Sequence, residues 1–500
     1  FLLGSFLKSP RLRAMLILLI VISFALAAGA RVSSLRAAAM VALYVGADLL
    51  RRERDAPTAL AVAAIALLFV NPMSLFDPGF LLSFSSVASL LLFVPALQHL
   101  LPEDADWKRY VAPPLAVQVL PTPLALNQFH VLPLLSPLVN LAVIPLLTGV
   151  LWLTFLTVVL GTLSTGVGSI FGHAAGVLVG VISLIARWAA QMPGSHALVS
   201  SPSGTGLFFY YLSAACLLVG CIQKGRGRRL APVPQEVRPH RVLLAGAGCT
   251  LILALLLWRP GTIAAVDFLD VGHGDSTLVR TPAGGTLLVD AGDANEYVDV
   301  GKQVVRPFLL SHGVTRLDIL AVSHADRDHM GGVFSVLRSI RVGEVILGPP
   351  SGTPLEEALL ALCTMRGIPV RRIFAGDTLT LPGAEVEVLH PAEDWSGGIN
   401  DSSLVLRVRW PGMDLLLAGD IERAGEAQLA GSDCTAALLK VPHHGSDTSS
   451  TLAFLETVRP RVAVMSVLPR GTFRTGHHSV MERYEALGTR VWRTDVHGGV

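Results

Sequence analysis

Ser323-His324-Ala325-Asp326-Arg327-Asp328-His329-Met330-Gly331-Gly332 follows directly on the apolar run Ile319-Leu320-Ala321-Val322. A short apolar run that breaks into polar residues and glycine reads as a buried strand opening into a loop. At such an exit alternate side chains converge, and the paired glycines let a following helix start close by. His324, Asp326, Asp328 and His329 put four candidate ligands within six residues. Imidazoles and carboxylates crowded in this way suit a first-row divalent ion, and there are enough of them for two. A capped surface loop with incidental charges is the alternative, but H-x-D-x-D-H behind an apolar strand argues against it.

Around this run, from Ala264 onward, lie further short β-type segments: Ala265 to Val271, Thr277 to Val279, Thr286 to Val289 and Val345 to Leu347. Gly-rich turns and short helical stretches separate them, the pattern of a layered α/β fold such as a two-sheet αββα sandwich. Later segments repeat the strand-then-ligand theme. Leu415-Leu416-Leu417-Ala418-Gly419-Asp420 ends in a carboxylate suited to bridging metals, although an Asp after a strand is commonly a helix N-cap. Lys440-Val441-Pro442-His443-His444-Gly445-Ser446 brings paired imidazoles before a turn, and either His443 or His444 is a candidate ligand. Gly476-His477-His478 is less specific, Asn400-Asp401-Ser402-Ser403 reads as a turn before another strand, and Asp290 is placed to hydrogen-bond the site loops.

The first half is of another kind. The whole chain is 52% hydrophobic and 15% charged, with a mean hydropathy of +0.57, which excludes a disordered chain and an ordinary soluble globule. Residues 1–260 hold 18 Lys+Arg against 8 Asp+Glu and residues 261–500 hold 21 against 29, so a net +10 precedes a net −8. The expected organisation is therefore a polytopic α-helical membrane bundle over 1–260 and a layered α/β domain over 261–500. A spanning helix needs about 20 apolar residues. Windows of this kind fall near 13–30, 36–50, 57–72, 78–98, 110–127, 131–160, 167–192, 205–222 and 242–258. Pro, Asn and Gln between 118 and 145 point to broken helices along a polar path. The basic run Lys224, Arg226, Arg228, Arg229, Arg238 and Arg241 belongs on the cytoplasmic side, so a last span at 242–258 would deliver the second half to the outer side. Five cysteines without CxxC spacing argue against a thiolate zinc site or a disulfide scaffold, and no GxxxxGK[ST] phosphate loop is present. Because the chain opens on Phe1 inside apolar sequence, it is expected to be a piece lacking an upstream region.

These residues resemble a known family. The second half is similar to the metallo-β-lactamase superfamily, with Asp326 standing where the broader superfamily has its second His. Together with Asp270-Val271-Gly272-His273-Gly274-Asp275 and the Asn400, Ala418 and Val441 motifs, it resembles the version attached to ComEC-type competence proteins. The run Asn71-Pro72-Met73-Ser74-Leu75-Phe76-Asp77-Pro78-Gly79-Phe80 is similar to that family's channel domain, whereas its N-terminal helices and small OB-like domain are absent.

The resemblance implies one or two divalent metal ions, Zn or Mn, held by His324, Asp326, Asp328, His329, Asp420 and His443 or His444, with Asp328, His444 and His477 in catalytic roles. It implies DNA as partner, double-stranded on arrival and single-stranded in transit through the bilayer of the bacterial inner membrane. A separate competence ATPase and DNA receptor are implied as well. The leading expectation is a DNA-uptake channel with a metal-dependent nuclease domain that degrades the other strand. The alternatives are a channel whose metal domain only binds DNA, and a membrane-anchored metallohydrolase with another substrate.

Overall fold

The computed structural model describes residues 9–27, 29, 31–53, 55–100, 106–227, 239–258, 263–468 and 477–500. The chain divides into two compact units, Phe1–Arg259 and Pro260–Val500.

In the first unit the apolar windows become helices. Among the described residues five of them, Val32–Leu49, Pro78–Leu100, Ser136–Gly161, Thr165–Gln191 and Gly204–Gln223, are long and apolar enough to cross a membrane. Ala56–Val70 and Arg241–Leu256 are apolar but shorter, and the first window corresponds to helix Pro10–Ala27. The window at 110–127 is two helices, Lys108–Val119 and Pro121–Phe129, which meet at Leu120. Pro121 and Pro123 lack the N–H groups that the carbonyls of Val117 and Val119 would otherwise accept. Tyr210 Oη donates to Val119 O at 2.8 Å, and Tyr211 Oη donates to Leu120 O at 3.1 Å. Ser89, fully buried, donates to Ala116 O and accepts from Leu120 N, so its hydroxyl stands in for the missing ladder bond. Beside this break Gln118 Nε2 and Asn140 Nδ2 both reach Ser136 Oγ, while Asn127 and Gln128 are exposed at a helix end. The short strands β1 (Val131–Pro133) and β2 (His196–Leu198) pair antiparallel. Of the basic run, Arg228, Arg229 and Arg238 lie outside the described residues.

The second unit contains two sheets. One has six strands in the order β3 (Ala265–Phe268), β4 (Thr277–Arg280), β5 (Thr286–Val289), β6 (Arg316–Val322), β7 (Arg341–Leu347) and β8 (Val370–Arg372). From β5 to β8 the strands are parallel, so each connection must cross over, and helices Arg306–Ser311, Val333–Ser339 and Pro354–Arg366 make these crossings. The other sheet has seven strands, running from β9 (Thr378–Leu381), β10 (Ala384–His390), β11 (Val405–Trp410) and β12 (Met413–Leu417) to β13 (Leu438–Lys440), β14 (Val462–Met465) and β15 (Arg490–Arg493).

Side-chain alternation decides what packs where. Leu415 and Leu417 enter the core between the sheets with Phe268, Leu287, Ile319, Ile346, Val386 and Val408. Leu416 faces the other way and joins Leu439, Ala463 and Met465 against the helix residues Phe454, Leu455, Val480 and Tyr484. On β6, Ile319 and Ala321 take the inter-sheet face, and Leu320 and Val322 are buried on the opposite one. Two sheets face to face with helical layers outside give the expected αββα architecture.

Candidate metal centre

The carboxyl ends of β5, β6, β12 and β13 lie at one edge of the sandwich and carry Asp290, the 323–332 run, Asp420 and the 440–446 run. Open α/β sheets place ligand sites at that edge. Gly274, at φ +102°, permits a close approach there: a Cβ at this position would stand 1.9 Å from Asp328 O.

Three imidazoles converge from this edge. His324 Nδ1 lies 3.0 Å from Ser323 Oγ and 3.2 Å from Ser403 Oγ. His329 Nδ1 meets Asp290 Oδ2 at 2.9 Å, and Asp290 also accepts from Ser323 N and Ser323 Oγ at 2.7 Å each. His444 Nδ1 is 3.4 Å from Asp275 Oδ1. With Nδ1 hydrogen-bonded in His324 and His329, and set against the Asp275 carboxylate without a well-formed hydrogen bond in His444, Nε2 is left to face inward, the arrangement that metal-ligating histidines adopt. Asp420 Oδ2 lies 3.3 Å from His329 Nε2 and 3.4 Å from His444 Nε2, and Asp328 Oδ2 is 3.6 Å from His444 Nε2. Ser403 Oγ accepts from Asp420 N at 3.0 Å, and Asp401 Oδ1 accepts from Glu422 N and Gly425 N at 2.7 and 2.8 Å. The Asn400-Asp401-Ser402-Ser403 turn thus shapes the Asp420 loop.

These side chains fit a divalent cation. His324 Nε2, His329 Nε2, His444 Nε2 and Asp420 Oδ1 are buried and make no well-formed hydrogen bond. Such groups are costly to bury unless something binds them. Two ligands at about 2.1 Å from one tetrahedral ion stand about 3.4 Å apart, close to the spacings seen here. Ligand atoms of His324, His329 and Asp420 all lie within 4.8 Å of one another, as do those of Asp328, His329 and His444, and those of Asp275, Asp420 and His444. The overlap of these sets provides for one ion or two.

The charges follow from the packing. Burial, with His329 beside it, pushes the His324 imidazole down to about 4, so it is neutral at pH 7. Burial acts to lower His329 and His444 too, but the Asp420 carboxylate outweighs it, joined by Asp290 for one and Asp275 for the other, and both are held well above the usual range. For Asp328, burial is overcome by the nearby His444 imidazole and the His329 charge, which bring the carboxyl down to about 2.

Not every expected residue joins the cluster. Asp326 is exposed and caps helix Arg327–Met330, accepting from Arg327 N at 3.1 Å. The chain turns helical directly after it, so the alternation that would have aimed it inward stops. Of the histidine pair, His444 points into the cluster, whereas His443 turns to Glu422 Oε1 at 3.1 Å and Thr448 Oγ1 at 3.3 Å. Both hold left-handed backbone, φ 48° and 52°, which swings their rings apart. This corrects the assignment of His443 as the ligand. His477 is not in the cluster; it is half-buried, and its N–H donates to Gly445 O at 3.0 Å beside the His444 loop.

The sequence reading assigned no role to His273, Asp275 or Lys440. His273 Nε2 lies 3.2 Å from Asp328 Oδ2 at the open side of the site, and Lys440 Nζ lies 2.8 Å from Asp275 Oδ2. Arg371 pairs with Glu344 and Arg372 with Glu356, while Arg470 and Arg474 lie outside the described residues.

Residues 1–224 match the Competence protein family, and residues 269–468 match the metallo-beta-lactamase superfamily. The match to the Competence family thus precedes the match to the metallo-beta-lactamase superfamily in one chain. ComE operon protein 3 of Bacillus subtilis (strain 168) is 28% identical over 507 residues, covering 97% of this chain and 63% of that protein. Competence protein ComA of Neisseria gonorrhoeae is 31% identical over 486 residues, covering 95% of this chain and 63% of that protein. The chain thus spans a little under two thirds of the length of these relatives. Among solved structures, the metallo-beta-lactamase fold protein YhfI from Bacillus subtilis aligns with a TM-score of 0.32 at 10% identity, covering 46% of this chain and 96% of that one. The metal cluster falls within the metallo-beta-lactamase match, and His477 lies beyond its end.

Proposed function

We propose that this chain serves DNA uptake in natural transformation. The metallo-beta-lactamase domain acts as a metal-dependent phosphodiesterase that degrades one DNA strand, and the Competence-family region passes the other across the bacterial inner membrane as a single strand. The domain works on the outer side of that membrane, and a separate ATPase and DNA receptor complete the system. The observation that carries the reading is the convergence of three buried imidazole Nε2 atoms on Asp420 and Asp328, in a chain whose other half matches the Competence family.

His324, His329, His444, Asp420 and Asp328 would hold one or two ions, Zn or Mn. When bound, such ions acidify water and neutralise charge developing on a phosphoryl oxygen. Each supporting residue then has a task. Asp290, Ser323, Ser403 and Asp275 hold the imidazoles so that Nε2 faces the cluster. Asp328, half-buried beside His273 at the open side, is placed to orient the attacking water and take its proton. The backbone N–H of His477 donates to Gly445 O, in the residue after His444, and its imidazole is the candidate to contact a phosphate oxygen or a leaving group. The domain's net −8 does not favour a polyanion by itself. Bound cations offset that charge at the point of contact.

The test is a nicking assay on supercoiled plasmid with the full chain in detergent, supplied with Mn²⁺ or Zn²⁺. Nicking that disappears with chelator and in His329→Ala and Asp420→Asn is expected. A chain that binds metal and DNA yet nicks nothing would support the channel that only binds DNA.

A further inference from the structure

Lys440 ends β13, after Leu438 and Leu439, and its side chain is only 3% exposed. A lysine in that position is costly unless its ammonium is paired. Its partners are Val441 O at 3.0 Å and Asp275 Oδ2 at 2.8 Å, and the Asp275 side chain is itself 5% exposed. The other oxygen, Asp275 Oδ1, points to His444 Nδ1 at 3.4 Å, and His444 Nε2 points to Asp420. A continuous line of contacts therefore runs from Lys440 through Asp275 and His444 to the metal cluster.

Asp275 has a second possible use. With Asp420 and His444 it forms a set of ligand atoms that all lie within 4.8 Å of one another, so it competes to be a metal ligand. Lys440 decides between the two uses, because one Asp275 oxygen is already committed to a cation that belongs to the protein.

We propose that Lys440 is a positioning residue: it commits Asp275 to orienting His444 and keeps Asp275 out of the metal shell. This rests on the metal-centre reading above and deepens it. Without the Lys440 ammonium, Asp275 is free to swing onto the ion and His444 loses its orienting partner. The site then still takes up metal, but in a different coordination.

The test is the visible absorption of Co²⁺ bound to the full chain in detergent. Lys440→Met is expected to bind Co²⁺ with a spectrum shifted from wild type, and Asp275→Asn/Lys440→Met, whose amide oxygen can still face His444 Nδ1 but which has no carboxylate to turn onto the ion, to return to the wild-type spectrum. A wild-type spectrum in Lys440→Met, or a shift that persists in the double variant, would overturn the proposal. Should Lys440→Met fail to fold, Asp275→Asn serves with the double variant. The single change leaves a buried ammonium unpaired beside the site and should weaken Co²⁺ binding about tenfold or more, and the double variant should recover it. Equal affinities of the two would overturn the proposal. No Co²⁺ on the wild-type chain would instead overturn the metal-centre reading, and this proposal with it.

Discussion

Asp290→Asn isolates the support of the metal centre from the ligands themselves. Asp290 is 2% exposed, and its carboxylate accepts from Ser323 N, Ser323 Oγ and His329 Nδ1 at 2.7, 2.7 and 2.9 Å. Its backbone is left-handed, φ 59°, a conformation that asparagine tolerates, so the change alters the head group and not the chain path. An amide offers one acceptor oxygen and turns its NH₂ toward at least one of the three donors. Losing a charge-assisted bond costs about 1.5–3 kcal/mol, and stranding a buried donor about 1–3 kcal/mol more. The domain should lose about 2.5–6 kcal/mol of stability. At about 2–4 °C per kcal/mol for a domain of this size, its melting temperature should fall by about 5–24 °C. Removing the partner that fixes a ligating imidazole typically weakens metal binding 10–100-fold, about 1.4–2.7 kcal/mol. Competition for Zn²⁺ against a chromophoric chelator measures this directly. A folded Asp290→Asn chain that holds Zn²⁺ as tightly as wild type would refute the role given to Asp290.

Four further outcomes are expected. His444→Ala should lose metal content while His443→Ala retains it, as elemental analysis of the purified variants would show; the reverse pattern would restore His443 as the ligand. Because the pKa values of His329 and His444 are held well above the usual range while that of His324 is pushed down to about 4, a cation arriving at pH 7 must displace protons from the first two and none from the third. Metal affinity should then rise with pH by up to about tenfold per unit for each proton released, and titration calorimetry in buffers of different ionisation enthalpy should detect that release. Gly274→Ala would set a Cβ against Asp328 O at 1.9 Å in a left-handed backbone, and should abolish metal binding or folding of the domain. Tyr210→Phe removes the donor to Val119 O at the helix break and should destabilise the first unit by about 0.6–1.7 kcal/mol in mixed-micelle unfolding.

Much of this was legible in the residues because the strong signals are local. Apolar runs such as Ile319 to Val322 and Leu415 to Leu417 mark strands whose ends carry polar side chains, and β6 and β12 appear there. His324, Asp328 and His329 were legible from spacing, since a strand exit brings such neighbours to one edge. Asp326 fails the same rule because helix Arg327–Met330 begins immediately and claims it as a cap. Nothing in the pair His443-His444 shows which ring turns inward, since that depends on two successive left-handed residues. Asp275 lies well before the ligand run in sequence and meets His444 only through the fold. Lys440 left a usable trace: a lone lysine within the apolar run Leu438-Leu439-Lys440-Val441 needs a buried partner. In the first half, the windows were plain in hydropathy, but the break at Leu120 depends on which hydroxyls reach Ala116 O and Val119 O, a matter of tertiary packing.

The central claim is that side chains from three strand ends, those of β6, β12 and β13, grip a divalent cation. Anomalous diffraction from crystals of the chain grown with Zn²⁺ or Mn²⁺, recorded at each metal's absorption edge, tests it most directly. The account predicts a peak about 2.0–2.2 Å from the Nε2 atoms of His324 and His329 and from an oxygen of Asp420, with His444 Nε2 on that ion or on a neighbouring one. Metal at saturating concentration that settles elsewhere, or nowhere, would contradict it.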